Sequence, residues 1–103
     1  MPYIISFTWY PPSQANTVAQ KYLEMLQKHP VISSIKRLVP AAVASSKEGI
    51  ETIVVDEVKR EDIGEAIEYL SRFLTEFRDI EDFRYYIRNF STVSEAMSYI
   101  GMG

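Results

Sequence analysis

Arg84, Tyr86 and Arg88 alternate in a run that reads as a strand. Alternate side chains of a strand project the same way, so two guanidinium groups and a phenol share one face. Each guanidinium is a planar fork that grips a carboxylate or phosphate through two hydrogen bonds. The same arginines would serve as well to pair with Asp56, Glu57 or the acids of a second chain across an interface. Tyr10 and Thr8, on a neighbouring strand, add hydroxyls under either use. A second constellation is Trp9 with Phe7, placed beside Tyr22 of the following helix, where aromatic rings either line a small apolar cavity or fill the core. His29 is the one histidine and stands before Pro30 at a helix end, where a cation suits the helix dipole. One histidine cannot build a multi-histidine metal site or a bis-histidine haem site within a single chain, so no metal is expected.

Other chemistries are excluded by what the 103 residues contain. There is no cysteine, which removes disulfides, thiolate catalysis, iron–sulfur clusters and cysteine zinc sites, and points to a reducing, cytoplasmic setting. No serine has a base near it in sequence, so nucleophilic catalysis has no visible machinery. The acids are scattered over helix surfaces, where solvation is the ordinary role. A net charge of −3 and a pI of 5.1 give no general attraction for nucleic acid or an anionic membrane. Met1 leads into a strand within three residues, so neither a signal peptide nor a membrane span is expected.

The elements that must position these residues follow from periodicity. Tyr3–Tyr10 alternates as a first strand, with Tyr3, Ile5, Phe7 and Trp9 on one side and Ile4, Ser6, Thr8 and Tyr10 on the other. Pro11 and Pro12 stop it, and Ser13 is placed to cap a helix over Ser13–Lys28. That helix carries Ala15, Val18, Ala19, Tyr22 and Leu26 on its apolar side, widened by Leu23 and Met25, and ends before Pro30. Ile35–Ala44 reads as a second strand whose Pro40 demands an edge or a bulge. Ser45–Gly49 is turn chemistry and Ile50–Val58 a third strand, apolar on both sides at Ile53-Val54-Val55.

Asp62 with Glu65 opens a second helix along Ile63, Ala66, Ile67, Leu70, Phe73, Leu74 and Phe77, with Glu68 and Arg72 paired on its wet side. Phe83–Phe90 is the fourth strand. Thr92 with Glu95 is a capping box for a short last helix that bears Val93, Ala96, Met97 and Ile100 and ends at Gly101.

This order predicts one α+β domain over residues 1–103, a ferredoxin-like βαββαβ antiparallel sheet of spatial order 4-1-3-2 with a C-terminal short helix. Two amphipathic helices cover one face of such a sheet. The wholly apolar side of the first strand, together with Phe83, Tyr85 and Ile87, is expected to meet them. Ile4, Ser6, Thr8, Tyr10, Arg84, Tyr86, Arg88 and Phe90, with Val54 and Asp56, are expected on the other face. A contiguous aromatic patch of that kind calls for a partner.

In element order and length the chain resembles the dimeric α/β-barrel superfamily, in which two ferredoxin-like domains pair sheet against sheet. The resemblance implies a homodimer through the second sheet face and a ligand held between sheet and helices or inside the barrel. Its members include cofactor-independent monooxygenases, haem-dependent enzymes and small-molecule sensors. RNA-recognition domains share the sheet but place aromatics on strands one and three; Glu51–Glu57 has none, so no nucleic acid is expected. Amino-acid-binding regulatory domains of like topology usually carry glycine where Pro11-Pro12 stand.

The expectation is a small cytoplasmic homodimer without cofactor, binding a small molecule or acting as an assembly module. The candidate ligand residues are Trp9, Tyr22, Tyr10, Tyr86, Arg84 and Arg88. The alternative is a cofactor-independent monooxygenase-like enzyme acting on an aromatic or polyketide-like substrate near Trp9 and Tyr22.

Overall fold

A computed structural model describes residues 1–47 and 49–102. The chain is α+β. β1 (Tyr3–Tyr10), α1 (Ala15–Lys28), β2 (Ile35–Ser46), β3 (Gly49–Val58), α2 (Ile63–Thr75), β4 (Arg84–Phe90) and α3 (Val93–Tyr99) follow one another, and the four strands form one antiparallel sheet in the order β2-β3-β1-β4. β1 and β3 are central, which accords with their apolar content, and the proline-bearing β2 lies at an edge. No helix among the described residues is long and apolar enough to cross a membrane.

Local chemistry explains the element ends. Pro11 and Pro12 leave β1 through a single 3-10 turn at Pro12–Gln14, and the Gln14 amide donates to the Pro11 carbonyl. That turn displaces the expected cap: α1 starts at Ala15, after Gln14, and has no side-chain cap from Ser13. Asp62 likewise closes a 3-10 turn and makes no capping hydrogen bond to α2. At α3 the capping box forms as expected. Thr92 Oγ1 accepts from the Glu95 amide at 3.1 Å, and Glu95 Oε1 accepts from the Thr92 amide at 2.8 Å. Its other end is a Schellman motif, with Gly101 at φ 78°, its amide on Ser98 O and the Met102 amide on Met97 O. The expected apolar side of this helix stays largely in water: Val93, Ala96 and Ile100 are exposed.

The β2–β3 hairpin is tighter than its sequence suggests, with Ser46 paired to Gly49. Of the expected turn Ser45–Gly49, Glu48 lies outside the described residues. Gly49 has φ +107°, and a Cβ there would stand 2.5 Å from the Tyr10 carbonyl oxygen, so the position requires glycine on two grounds. β2 carries two register shifts, between Arg37 and Val39 and between Val39 and Ala42, on either side of which its pairing with β3 is regular. Together they insert two residues, so Arg37 and Val43 still look to the same face.

That face is the one beneath α1 and α2, and it is the reverse of the expected one. Ile4 and Tyr10 of β1 are core, Ile4 with Ile35, Val58, Ala66 and Leu70, and Tyr10 with Val18, Met25, Phe73, Leu74 and Phe77. Ser6 is buried with them. Tyr3, Ile5, Phe7 and Trp9 face away from the helices and are half-buried. The reason is that both alternating sets of β1 are apolar enough to pack, and only Ser6, Thr8 and Asp56 marked one of them as wet. In the fold these polar groups lie beneath the helices, where Asp56 is neutralised by the half-buried Arg37 and Ser6 and Thr8 border a cavity. β4 follows the expectation, with Ile87 packed inward and Arg84, Tyr86 and Arg88 outward.

Candidate ligand-binding site

Between the sheet and the two long helices is a cavity of about 210 Å³. Its floor is the inward face of β1 and β3: Ser6, Thr8 and Tyr10 with Val54 and Thr52. Thr8 and Thr52 are cross-strand partners and Ser6 is two residues along from Thr8, so the three hydroxyls make one polar strip. The wall is a chain of aromatic rings. Tyr22 of α1 meets Phe73 of α2 edge-on at 6.0 Å, Phe73 lies 5.9 Å from Phe77, Phe77 stacks on Phe83 at 5.0 Å, and Phe83 stacks on Tyr10 at 6.2 Å. Ala19 of α1 and Ala41 and Val43 of β2 also line the space and are themselves exposed, so the mouth lies between α1 and the edge strand. Tyr22 Oη reaches across that mouth toward the Pro40 carbonyl, 3.4 Å away.

Two features of the cavity are electrostatic. The Ser6 and Thr52 hydroxyl oxygens are shielded from solvent and have no hydrogen-bond partner among the described residues. The same holds of Ser34 Oγ, away from the cavity, and a water molecule or a ligand group would supply each missing partner. At one end stands Arg37, whose Nε donates to Asp56 Oδ1 at 2.8 Å and whose Nη2 donates to Oδ2 at 3.1 Å. Asp56 has no exposed surface. Burial works against the Arg37 charge, and the hydrogen-bonded carboxylate outweighs it, so the guanidinium pKa lies above its ordinary value. Next to this pair, burial raises the Tyr69 phenol, partly offset by Arg37, and Tyr69 Oη donates to the His29 carbonyl at 2.7 Å.

The fold divides the candidate residues between two faces. Tyr10 and Tyr22 line the cavity. Trp9, Arg84, Tyr86 and Arg88 lie on the opposite, open face, where Arg84 pairs across from Trp9, Tyr86 from Phe7 and Arg88 from Ile5. The expected meeting of Trp9 and Phe7 with Tyr22 does not occur, because odd positions of β1 point away from α1. Nor do Tyr10 and Thr8 join the arginines. On the open face Trp9 Nε1 donates to Glu51 Oε2 at 2.7 Å, Trp9 stacks with Phe7 at 6.2 Å and meets Tyr86 edge-on at 5.7 Å. Arg88 lies over the Phe90 ring at 4.7 Å. Asp56, one proposed partner of these arginines, is held by Arg37 on the other side of the sheet.

His29 ends α1, its amide on Met25 O, with Nε2 3.7 Å from Glu76. Among the described residues no three metal-ligating side chains converge. Arg37 and Thr52 are not singled out by sequence reasoning, whereas Ser6 is placed by it with Thr8 and Tyr10 on the face that meets a partner. The available signal was an ionisable Asp56 directly after the apolar run Ile53-Val54-Val55 of a central strand, which requires a buried cation from a neighbour.

No protein-family model matches the chain, and no curated protein matches it. Among solved structures, the de novo designed protein Foldit4 superposes with a TM-score of 0.51 at 12% identity, over 88% of this chain and 96% of that one. The likeness is one of fold. The CPII structure, a nitrogen regulatory PII-like protein from Thiomonas intermedia K12 bound to ADP, AMP and bicarbonate, aligns with a TM-score of 0.35 at 9% identity, over 89% of this chain and 93% of that one.

Proposed function

We propose that this domain binds a small molecule in the cavity between its sheet and helices, and that it works as a homodimer of ferredoxin-like units paired through the open sheet face. The observation that carries the first part is the pair of unpartnered hydroxyls, Ser6 and Thr52, on the floor of an otherwise aromatic space. Pockets for small molecules combine apolar walls with a few placed polar groups in this way. The lining holds hydroxyls and one neutralised guanidinium, with no carboxylate or imidazole among its described residues. Binding is the reading we put first; the oxygenase-like alternative would draw its proton-moving groups from the phenols of Tyr10 and Tyr22.

The second part is supported by the open face itself. Ile5, Phe7, Ile53 and Val55 form its centre, Glu51 and Glu57 of β3 lie to one side and Arg84 and Arg88 of β4 to the other. An apolar centre flanked by acids and arginines on opposite sides is self-complementary under a two-fold axis.

The test of the cavity is amide chemical-shift mapping by NMR with a library of small aromatic fragments. Binding should shift Ser6, Thr52, Val18 and Tyr22, and Val54→Phe, which fills the space from the floor, should abolish it in a protein that keeps its dispersed spectrum. Fragments that shift only residues of the open face, or none at millimolar concentration, would overturn this reading.

A further inference from the structure

We infer that the occupant of the cavity is an uncharged, single-ring aromatic molecule carrying one hydroxyl or carbonyl group, and that anions are refused despite the arginine at its end. The inference rests on the binding reading above and assigns the chemical class of the ligand.

Three observations converge on it. The first is size: the space is about 210 Å³, whereas an apolar cavity of ~150 Å³ in a protein core takes up benzene. One substituted ring fits, and a nucleotide or a fused polycycle does not. The second is shape and surface. The rings of Tyr22, Phe73, Phe77, Phe83 and Tyr10 form an unbroken series along one side, and offset or edge-on contacts to such rings favour a planar aromatic guest.

The third is charge. Ser6, only 3% exposed, and Thr52 both line the cavity, and their hydroxyls have no hydrogen-bond partner among the described residues. A hydroxyl both donates and accepts, so the floor reads a phenol, a benzylic alcohol or an aryl carbonyl equally well. Arg37 adds no net positive charge, because both of its hydrogen bonds toward Asp56 are made and the carboxylate is as buried as the cavity. An anion entering here would be desolvated and would meet only a guanidinium already neutralised by Asp56.

Calorimetric titration of the full chain with p-cresol, toluene and 4-methylbenzoate separates the terms, since all three share the ring and its methyl group. The expected order is p-cresol tightest, toluene weaker by about tenfold for the hydrogen bond it lacks, and 4-methylbenzoate weakest. Ser6→Ala and Thr52→Val, which keep or nearly keep side-chain volume, should each narrow the gap between p-cresol and toluene by weakening p-cresol. Tightest binding by 4-methylbenzoate would overturn the assigned class and leave the binding reading intact. Equal binding of toluene and p-cresol in the parent protein would do the same. No binding of any of the three, with no fragment perturbing the cavity amides, would overturn both.

Discussion

Arg37 and Asp56 face each other across β2 and β3 as a two-pronged ion pair, Nε to Oδ1 at 2.8 Å and Nη2 to Oδ2 at 3.1 Å, beneath the helices. This pair is what lets a charged residue occupy the inward face of a central strand. Arg37 also stands at one end of the cavity, its charge neutralised by Asp56 behind it.

Removing one member of the pair leaves the other buried and uncompensated, at a cost of about 3–5 kcal/mol. Arg37→Met and Asp56→Leu should each lower the urea midpoint accordingly, with the slope of the transition unchanged. The double variant should recover most of the loss, since replacing both charges by apolar groups removes the desolvation penalty. Losses that simply add in the double variant would show that the two residues do not act as a pair.

Two glycines with positive φ should respond differently to alanine. Gly49→Ala brings a Cβ to 2.5 Å from the Tyr10 carbonyl, at φ +107°, and should cost at least about 2 kcal/mol from strain and displacement of β1. Gly101→Ala, at φ +78° with open space around it, should cost only the left-handed strain of an L-residue, about 1–2 kcal/mol. Thermal unfolding of the two variants under one buffer condition gives the comparison.

The carboxyl of Glu95 is held below the usual carboxylate range, first by the Thr92 amide, then by the Thr92 side chain, the chain's amino terminus and Arg60. A depressed pKa means that its contribution to stability is full above the ordinary glutamate value and is lost as pH falls through the lower folded-state value. α3 should therefore fray on acidification before the sheet does, seen as loss of helical carbon shifts over Val93–Tyr99. Thr92→Ala should produce similar fraying at neutral pH, at about 1 kcal/mol. An α3 whose shifts hold while the sheet unfolds would contradict this order.

Light scattering on a size-exclusion column should find two copies per particle at micromolar concentration. Tyr86→Glu and Phe90→Glu place new acids on the open face, Tyr86 beside Phe7 and Phe90 beside Tyr3, and should return the protein to one copy that still unfolds cooperatively, with a lower midpoint that no longer depends on protein concentration. A parent protein that elutes as a single copy, or a dimer indifferent to both substitutions, would rule out this face as the interface.

The element types were legible because they rest on local rules. Alternation marked β1 and β4, a three- and four-residue repeat marked α2, and Pro40 marked β2 for an edge. Thr92, Glu95 and Gly101 declared both ends of α3, since each acts within four residues of its partner. Even the outward set of β4 could be read, because Arg84 and Arg88 contrast plainly with Phe83 and Ile87. β1 offered no such contrast. Phe7 and Trp9 are as fit for a core as Ile4 and Tyr10, and the side on which the helices lie was settled by pairing with Val54 and Asp56 of a strand some fifty residues away. The polar signal then pointed the wrong way: Ser6, Thr8 and Asp56 suggested water, and they lie inside. A buried charge is tolerated only with its counter-charge in place, and an empty space exists only where several elements fail to fill it. Arg37 beside Asp56 and the cavity over Ser6 and Thr52 are relationships of that kind, absent from any one segment and decided by the packing of four.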